Sequence, residues 1–598
     1  MERRVLLAVF LSFMVLYIYG ALIAPPPSTP VDEAGGSMTS SSESPPSSST
    51  TASNNPSFEP RSVSPPSITA VDQPTPAPVV GDTEPRDIVV ENDWFRAVFA
   101  NRGAELVSWQ LKEYLDGGQP VELVPVELPV EEPWPFSLAF EDERFTDLAH
   151  QALYRVNSSH VTLTDREETL TFDYEDATGL RIRKSFRFNP SSSQYLFTLS
   201  IEASFGQQQL NPTLRWGPAL GGVESTSSGF AFRQGPRGIL HGRLLEEGTI
   251  QDLDTTRVDA ADVVTQPTYQ GQMDFLGVDN HYFLAAALPQ AQDALVRFRP
   301  VPLPSRNPEG EPRELMAFDL SLPGGFNDVA FYLGPKDFDL LEIADSGLPL
   351  SIEFGFLSWL VVPLHRSLSW VHSGVGNWGL SIIILTILIN IVIFPLRHKS
   401  VVSMRKMQEL QPQMKAIQDR YKNLKATDPD KQKMNKEVMN LYREQGVNPA
   451  SGCLPMLATM PILFAFYRLL SMAIEMRGAP FMLWITDLSV HDPFYVTPIV
   501  MGGTMVLQQR LTPTQADPMQ QKIMMLMPIV FTFMFLWAPS GLVVYWLTSN
   551  VLGIGQQLIT NRWIGPPKVR TVRPPAERRI KKKNARKGKS VKQEHPPE

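Results

Sequence analysis

The sequence of 598 residues contains a single cysteine, Cys453. One cysteine excludes an intramolecular disulfide framework, a zinc site made of several cysteines and a Cys-x-x-Cys redox centre. The sequence also lacks the GxxxxGKS/T loop of nucleotide-driven motors, the HExxH motif of zinc proteases and the GxSxG motif of serine hydrolases. We therefore predict no catalytic residues, no metal site and no cofactor.

Acidic residues are absent where the chain is most apolar. Five apolar runs, which we predict to be membrane spans, contain no Asp or Glu: 378–396, 452–473, 494–509, 523–538 and 541–559. Carboxylates inside membrane spans bind cations or relay protons, so their absence argues against an ion-coupled transporter or channel. We also find no inverted repeat, which many transporters contain.

Positive and negative charges are separated along the chain. Residues 24–365 contain 22 Lys+Arg and 48 Asp+Glu, a net charge of −26. The remaining residues contain 32 and 14, a net charge of +18, which together give the −8 of the whole chain. Positive residues collect in the cytoplasmic segments of membrane proteins. The acidic part is therefore predicted to lie outside the membrane.

Residues 1–348 are predicted to contain three kinds of segment. Residues 1–24 include about 20 apolar residues in succession, which predicts an uncleaved transmembrane anchor, with a cleaved secretory signal as the alternative. Residues 25–85 are predicted to be a disordered tether, because 25–80 hold 13 Pro and 14 Ser. Residues 86–348 show short β-type runs between turn residues, which predict an antiparallel β-sandwich, and its acidity predicts that it lies on the outer side of a bacterial membrane.

The chain from residue 349 onward is predicted to be helical up to its basic tail. Residues 349–373 are predicted to form an interfacial amphipathic helix, and residues 374–560 a core of five spans. The connection 397–449 has 12 Lys+Arg and 6 acids, and the tail 561–598 has 13 and 3 from residue 562 onward. By the positive-inside rule, this connection and both termini are cytoplasmic, and the chain has six spans with the anchor.

The connection 397–449 is predicted to be a hairpin of two amphipathic helices. Apolar residues recur there at spacings of three and four. The main interpretation is that two apolar stripes pack on each other. A second interpretation is an adaptable methionine surface that receives apolar nascent segments. Its residues would be Met404, Met407, Met414, Met434 and Met439.

Neutral polar residues in the spans either line a common groove or form hydrogen bonds between neighbouring helices. The predicted groove residues are Thr386, Asn390, Arg397, Thr459, Gln509, Tyr545, Ser549 and Gln556, with Gln508 beside Gln509.

The fourth and fifth spans, counting the anchor, each have about 16 residues, or roughly 24 Å of helix. They are shorter than a hydrocarbon core of roughly 30 Å, which predicts local thinning of the bilayer.

A periplasmic carbohydrate enzyme is a further alternative. It would require His150, His160, His241 or His281 to meet a carboxylate in one pocket. Scattered surface histidines are the simpler expectation.

Several blocks of the basic part resemble the YidC family of membrane-protein insertases. These blocks are FPLRHKS (394–400), SMRKMQELQP (403–412), NPASGCLPMLATMPILFAFYRLL (448–470), APFMLWITDLS (479–489) and DPMQQKIMMLMPIVFTFMFLWAPSGLVVYWLTSN (517–550). The acidic part resembles the Gram-negative version of the family, whose periplasmic domain is a β-supersandwich related in shape to galactose mutarotases. The resemblance implies a groove open to the cytoplasm and action alone or with the Sec translocon.

We therefore predict an α-helical polytopic protein of the bacterial inner membrane. It would have six transmembrane helices, a large all-β periplasmic supersandwich-like domain and a cytoplasmic helical hairpin. Its function would be that of an insertase and chaperone, not an enzyme, with nascent membrane proteins, the Sec translocon and the lipid bilayer as partners. The basic tail 561–598 has the composition of a ribosome or anionic-lipid contact, or it serves to enforce topology.

Two positions differ from the usual family pattern. Members usually have a positive residue where Asn390 stands and Gln where Thr459 stands. Arg397 follows Asn390 by about 10 Å along a helix, so we expect it to supply positive potential only at the groove mouth. Asn390 would then hydrate the groove without steering charge, and Arg468 would extend outward.

Overall fold

The computed structural model describes residues 78–564, apart from 117, 126–131, 190–192, 221–226, 229–230, 233, 247–248, 291, 304–312, 422–428, 448–453 and 512–517. The predicted anchor 1–24, residues 25–77 of the predicted tether and residues 565–598 of the basic tail lie outside the described part of the chain.

The first half of the described chain is built of strands. Buried and more exposed side chains alternate along them, as in Leu180–Phe188, which is the pattern of a strand with one face on a core. The strands are β1 (Pro78–Val80), β2 (Asp87–Glu91), β3 (Phe95–Ala100), β4 (Glu105–Asp116), β5 (Gln119–Glu122), β6 (Ser137–Ala139), β7 (Arg155–Val156), β8 (His160–Thr162), β9 (Glu168–Asp176), β10 (Leu180–Phe188), β11 (Leu196–Phe205), β12 (Gln208–Leu210), β13 (Thr213–Ala219), β14 (Ser227–Ser228), β15 (Ala231–Phe232), β16 (Arg237–Glu246), β17 (Thr249–Val258), β18 (Thr268–Asp279), β19 (Phe283–Leu288), β20 (Asp293–Leu303), β21 (Arg313–Ser321) and β22 (Val329–Pro335).

Two sheets account for most of these strands. The smaller has five strands in the order β5-β4-β3-β2-β8, and its β2–β8 pair is parallel. The larger has 15 strands along the path β1-β9-β10-β11-β22-β19-β18-β20-β21-β13-β6, with β7, β12, β16 and β17 paired off this path. The pairs in the larger sheet are antiparallel, as in β10–β11 and β20–β21. The prediction of a large β domain is confirmed.

The β domain begins earlier than predicted. Strand β1 pairs with β9 and lies inside the segment 25–85 that was predicted to be a tether. The backbone of Asp82 also donates to Leu153 O at 2.9 Å. A Pro/Ser-rich composition does not reveal a three-residue strand, because the hydrogen bonds that hold β1 come from a partner about 100 residues away.

Aromatic residues and one buried lysine join the two sheets. Phe95 and Trp109 of the smaller sheet stack with ring centroids 4.3 Å apart, and Trp109 lies 5.6 Å from Phe197 of the larger. Lys184 Nζ donates to the carbonyls of Gly103, Phe136 and Ala104 at 2.7, 2.8 and 3.1 Å. Burial lowers the pKa of Lys184 to about 7. Three carbonyl acceptors match the three donors of its ammonium group.

Short helices lie between strands in the first half of the described chain, and the second half is mainly helical. The helices are α1 (Glu143–Gln151), α2 (Ala260–Thr265), α3 (Phe338–Ala344), α4 (Ser358–Val375), α5 (Trp378–Arg420), α6 (Pro429–Glu444), α7 (Leu454–Met472), α8 (Val496–Leu511), α9 (Pro518–Phe535) and α10 (Ser540–Ile564). Short 3-10 turns occur at Leu348–Ser351, Gly355–Leu357 and Ile474–Met476. Within the described ranges, α5 and α10 are long and apolar enough to cross a membrane, and Thr459–Met472 and Met525–Phe535 are shorter apolar helices. The count of six spans stays a prediction.

Two helix boundaries differ from the prediction. Helix α5 continues from the predicted span 378–396 into the predicted hairpin 397–449 as one helix of 43 residues. The change from apolar to basic residues at 397 does not interrupt this helix. The polarity of side chains decides whether they face lipid or water, but it does not alter the backbone hydrogen bonds of the helix. Helix α4 begins at Ser358, since the first residues of the predicted interfacial helix 349–373 form 3-10 turns.

The long helices pack as a connected group. Helix α10 packs on α5 and α8, α9 packs on α8, and α4 packs on α5 and α7. Gly502 lies where α8 meets α9, and a Cβ at this position would fall on the side chain of Thr532. Glycine is thus required for this close approach of two helices.

Candidate functional site: a polar cluster between helices

Polar side chains meet where α5, α8 and α10 come together. Arg397 Nη1 donates to Asn390 Oδ1 at 2.9 Å, and Asn390 Nδ2 donates to the backbone carbonyl of Thr386 at 2.7 Å. A Cβ on Gly553 of α10 would lie 2.6 Å from Gln508 Nε2 and 4.0 Å from Arg397 Nη1. The guanidinium group and the Gln508 amide therefore face the same glycine. We call Asn390, Arg397, Gln508, Tyr545 and Ser549 the polar cluster.

Tyr545 and Ser549 complete this cluster from α10. Their hydroxyl groups lie near each other, and the Tyr545 hydroxyl lies within electrostatic reach of Arg397. On its other side the Tyr545 ring stacks on Phe466 of α7, with ring centroids 4.3 Å apart. The cluster is therefore connected to α7 by one aromatic contact.

The contact between Arg397 and Asn390 corrects the expectation drawn from their spacing. That expectation kept the positive charge about 10 Å from Asn390, which is the rise of seven residues along a helix. Side chains on a helix point toward its amino terminus, so a long side chain reaches back over the preceding turns. The Arg397 guanidinium is consequently held at Asn390.

The other predicted groove residues have different surroundings. The Thr386 side chain is buried, and its hydroxyl donates to Ile382 O of the same helix at 2.6 Å. Thr459 is half-buried on α7, and Gln509 is half-buried on α8. Neighbouring helical residues point about 100° apart, so Gln508 and Gln509 cannot face the same side. Gln556 Nε2 donates to Phe394 O at 3.3 Å and links α10 to α5.

A second set of polar contacts joins the first residues of the predicted hairpin to the end of α10. Arg405 Nη2 donates to Asn561 Oδ1 at 2.6 Å, and Gln557 Nε2 donates to the same oxygen at 3.0 Å. His398 Nδ1 lies 3.4 Å from Thr560 Oγ1. These residues were missed in the sequence, because their partners lie about 160 positions away on another helix.

The predicted hairpin has contacts between its two helices. Arg420 Nη2 and Tyr421 Oη both donate to the Glu437 carboxylate, at 2.9 and 2.8 Å. Tyr442 Oη contacts Met414 Sδ at 3.0 Å. The side chains of Met404, Met407, Met414 and Met434 are half-buried, whereas Met439 is exposed. These contacts join the two helices, and both interpretations of the hairpin, packed apolar stripes and a receiving surface, stay predictions.

The segment before α8 is organised by a buried acid, Asp492. Its Oδ1 accepts from Trp484 Nε1 and the Phe494 amide, both at 2.9 Å, and its Oδ2 accepts from the Thr497 amide and hydroxyl at 2.8 Å. Burial opposes ionisation, but these bonds favour the carboxylate and lower the pKa of Asp492. The sequence signal is an acid a few residues before a helix, from where its side chain can accept from the first amides of that helix.

The four histidines of the alternative hypothesis contact different groups. His150 Nδ1 lies 2.7 Å from Glu105, His160 Nε2 lies 3.5 Å from Glu91, and His241 Nε2 lies 3.8 Å from Asp274. His281 Nε2 contacts a backbone carbonyl at 2.7 Å. Each ring has its own partner, which is the arrangement expected for scattered histidines. Within the described ranges, no group of three His, Cys, Asp or Glu side chains could hold a metal ion.

Together, the β domain, the long apolar helices and the polar cluster define a helical membrane protein with a large β domain. Residues 87–367 match the family described as the YidC periplasmic domain, and residues 370–566 match the family described as the 60Kd inner membrane protein. The chain is 35% identical to the membrane protein insertase YidC of Geobacter metallireducens, over 94% of this chain and 99% of that relative. The chain therefore belongs to the YidC family of membrane protein insertases.

A second relative gives the same family. The chain is 35% identical to the membrane protein insertase YidC of Syntrophus aciditrophicus, over 81% of this chain and 86% of that relative. It is also similar to a crystal structure of an active YidC insertase with its first transmembrane domain resolved, at 18% identity and a TM-score of 0.32, covering 81% of this chain and 95% of that one. Family membership confirms the prediction of an inner-membrane insertase and decides against the transporter and carbohydrate-enzyme alternatives.

Proposed function

We propose that the polar cluster is the site at which this insertase receives the polar flank of a nascent membrane segment. The supporting observation is the Arg397 guanidinium held on the neutral Asn390 amide at 2.9 Å. A positive charge among neutral dipoles keeps its field available to a ligand, whereas a carboxylate partner would cancel most of it. The predicted spans contain no Asp or Glu that could supply such a partner.

The apolar part of the segment would leave along α7 and α9. Helix α9 exposes several large side chains that would suit either lipid or an apolar substrate: Met525, Leu526, Ile529, Val530 and Phe533. Helix α8 has 16 residues, or roughly 24 Å of helix, against a hydrocarbon core of roughly 30 Å. Local thinning of the bilayer beside a polar cluster would lower the barrier for a polar flank without nucleotide hydrolysis.

The proposed topology has six spans and both termini in the cytoplasm. The β domain then lies in the periplasm, and the hairpin of α5 and α6 lies in the cytoplasm near the entrance to the cluster. The charge distribution supports this orientation, with 12 Lys+Arg against 6 acids in residues 397–449. We also propose the Sec translocon as a partner, and the ribosome as a partner of the basic tail.

The experiment is insertion of a short single-span substrate into Sec-free vesicles that contain the full chain. Replacing Arg397 with Ala is expected to lower the insertion rate roughly tenfold, which corresponds to the loss of about 1.4 kcal/mol. Arg510→Ala is the matched control, because Arg510 is exposed at the end of α8. Equal rates for the two variants would contradict the proposal.

Asn390→Leu gives a second test of the same site. Leucine cannot accept the Arg397 hydrogen bond or hydrate the cluster, so insertion is expected to fall with Asn390→Leu as well. Unchanged insertion of single-span substrates would show that Asn390 has no part in the function.

A further inference from the structure

The turn between β18 and β19 is buried, although turns of β domains usually lie at the surface. Asn280 and His281 occupy this turn, and they are 0% and 3% exposed. Asn280 Oδ1 accepts from the amides of Tyr282 and Phe283 at 3.0 and 2.8 Å, and Asn280 Nδ2 donates to Leu220 O at 3.3 Å. These bonds fix the direction in which His281 projects.

His281 reaches the end of a helix in the insertase core. Its Nε2 lies 2.7 Å from the carbonyl oxygen of Ser471, one residue before the end of α7. The last four carbonyls of a helix have no hydrogen-bond partner within the helix. His281 of the β domain provides such a partner for the Ser471 carbonyl. The backbone amide of Gln234 donates to His281 Nδ1 at 3.5 Å. Both contacts suit a neutral ring that carries its proton on Nε2.

Arg477 makes a second connection just beyond α7. Its guanidinium lies 5.5 Å from the Tyr282 ring centroid and 5.4 Å from that of Phe283. Its Nη2 donates to the carbonyl of Leu115 in β4 at 3.3 Å. Because β4 belongs to the smaller sheet and Phe283 to the larger, both sheets contact the segment that follows α7.

Helix α4 makes a third connection to the same segment. His365 Nε2 lies 2.8 Å from Glu475 Oε1, and the His365 ring lies 5.3 Å from Phe338 of α3. Burial disfavours the charged ring, but the Glu475 hydrogen bond and charge outweigh it and raise the pKa of His365. The segment before α4 also contacts the β domain, since Glu353 Oε2 accepts from Arg237 Nη2 at 2.9 Å.

These contacts can be followed from the β domain to the polar cluster. Ser471 lies five residues after Phe466, or roughly 7.5 Å along α7. Phe466 stacks on Tyr545, which belongs to the cluster. Since a helix is stiff over this distance, a displacement at Ser471 moves Phe466 and changes the surface on which Tyr545 rests.

We propose that the β domain is a positioning element of the insertase, in which His281 holds the end of α7 so that Phe466 supports Tyr545 in the polar cluster. His281 is therefore a positioning residue and does not touch the substrate. This inference rests on the proposed function, because it assigns a role to α7 in the same site.

The test compares three variants of the full chain in Sec-free vesicles. His281→Ala removes the donor to Ser471, His281→Gln retains a side-chain N–H, and His160→Ala is the control, since His160 is exposed on β8. Amide hydrogen exchange is measured over residues 466–477, together with insertion of a single-span substrate. His281→Ala is expected to raise exchange there by roughly 2- to 10-fold and to slow insertion by a similar factor. His281→Gln is expected to restore both quantities.

Two results would overturn this proposal. One is unchanged exchange in residues 466–477 with His281→Ala, whatever happens to insertion. The other is increased exchange with insertion equal to that of His160→Ala. In both cases the wild-type chain still inserts the substrate, so failure of this inference is distinguishable from failure of the proposed function, which Arg397→Ala tests separately.

Discussion

The Asp279 site of the β domain and the polar cluster of the helical region hold positive charge in different ways: Lys336 is buried, and Arg397 is half-buried. In the β domain, the Asp279 carboxylate contacts Lys336 Nζ at 2.9 Å and Arg237 Nε at 3.2 Å. In the helical region, Arg397 contacts the neutral amide of Asn390. A buried charge with an opposite partner fixes local structure, and losing the partner is costly. A charge among neutral dipoles constrains the local structure less, but its electric field can still attract a ligand. The first arrangement suits a scaffold. Neutral acceptors also serve a scaffold where the charge is fully buried, as at Lys184, whereas the half-buried Arg397 suits a binding site.

The largest effect is expected when the compensated charges are broken. Asp279→Asn leaves Lys336 and Arg237 without their shared carboxylate in the protein interior. The free energy of unfolding should fall by about 3–5 kcal/mol, as measured by chemical unfolding of the full chain in detergent. Asp274→Asn is the control, because the Asp274 side chain on the same strand is exposed. Similar losses for both variants would show that Asp279 is not compensating buried charge.

An acid titration is expected to loosen the connection between the β domain and α4. Burial opposes ionisation of Glu353, yet Arg237 and Arg257 lower its pKa to about 2. A folded-state pKa below the ordinary value of 4.5 means that Glu353 contributes stability above about pH 4.5 and loses it as the pH falls toward 2. Tryptophan fluorescence during the titration measures this loss.

Glu353→Gln provides the control for that titration. The variant lacks the charge at every pH, so it should be less stable than the wild type at pH 7 and should lose less stability between pH 4.5 and 2. Parallel acid profiles for the two chains would mean that Glu353 does not carry the effect.

A smaller effect is expected at the contact of α8 and α9. Gly502→Ala places a methyl group on Thr532, whereas Gly503→Ala meets nothing within 4 Å. Both changes give the same gain in helix propensity, so their difference isolates the packing. Gly502→Ala should be less stable by about 1–3 kcal/mol in detergent unfolding. Equal stabilities would show that the two helices do not approach as closely as described.

The smallest effect is expected in the hairpin. Met439 is 51% exposed, so Met439→Ala should change the free energy of unfolding by no more than about 0.5 kcal/mol. Met414→Ala should cost more, because Met414 contacts Tyr442 on the other helix. If Met439 receives substrates, its loss should slow insertion about twofold. Insertion at the wild-type rate would count against the receiving role.

The sequence predicted the class of each region better than the partners of single residues. Strand alternation and apolar runs are local patterns, so the β domain and the helices followed from them. The joining of α5 across residue 397 was missed, because a change in polarity was taken as a boundary. The contact between Arg397 and Asn390 was also missed, since helical rise was considered without the direction of the side chain.

The contacts between the regions had no local signal. His281 and Ser471 are 190 residues apart, and the sequence around either residue gives no sign of the contact. Asp492 is different, because its main partners, Phe494 and Thr497, lie within five residues along the chain. Long-range contacts of this kind depend on how two separate folds meet, which periodicity and composition do not encode.

Crosslinking from position 390 tests the central claim most directly. Asn390→Cys in a Cys453→Ser background gives a chain with one thiol, placed where Arg397 and the cluster meet. We predict that a single-span substrate stalled during insertion into Sec-free vesicles crosslinks to this thiol, and that Arg397→Ala weakens the crosslink. Efficient insertion without any adduct at position 390 would contradict the assignment of the polar cluster as the substrate site.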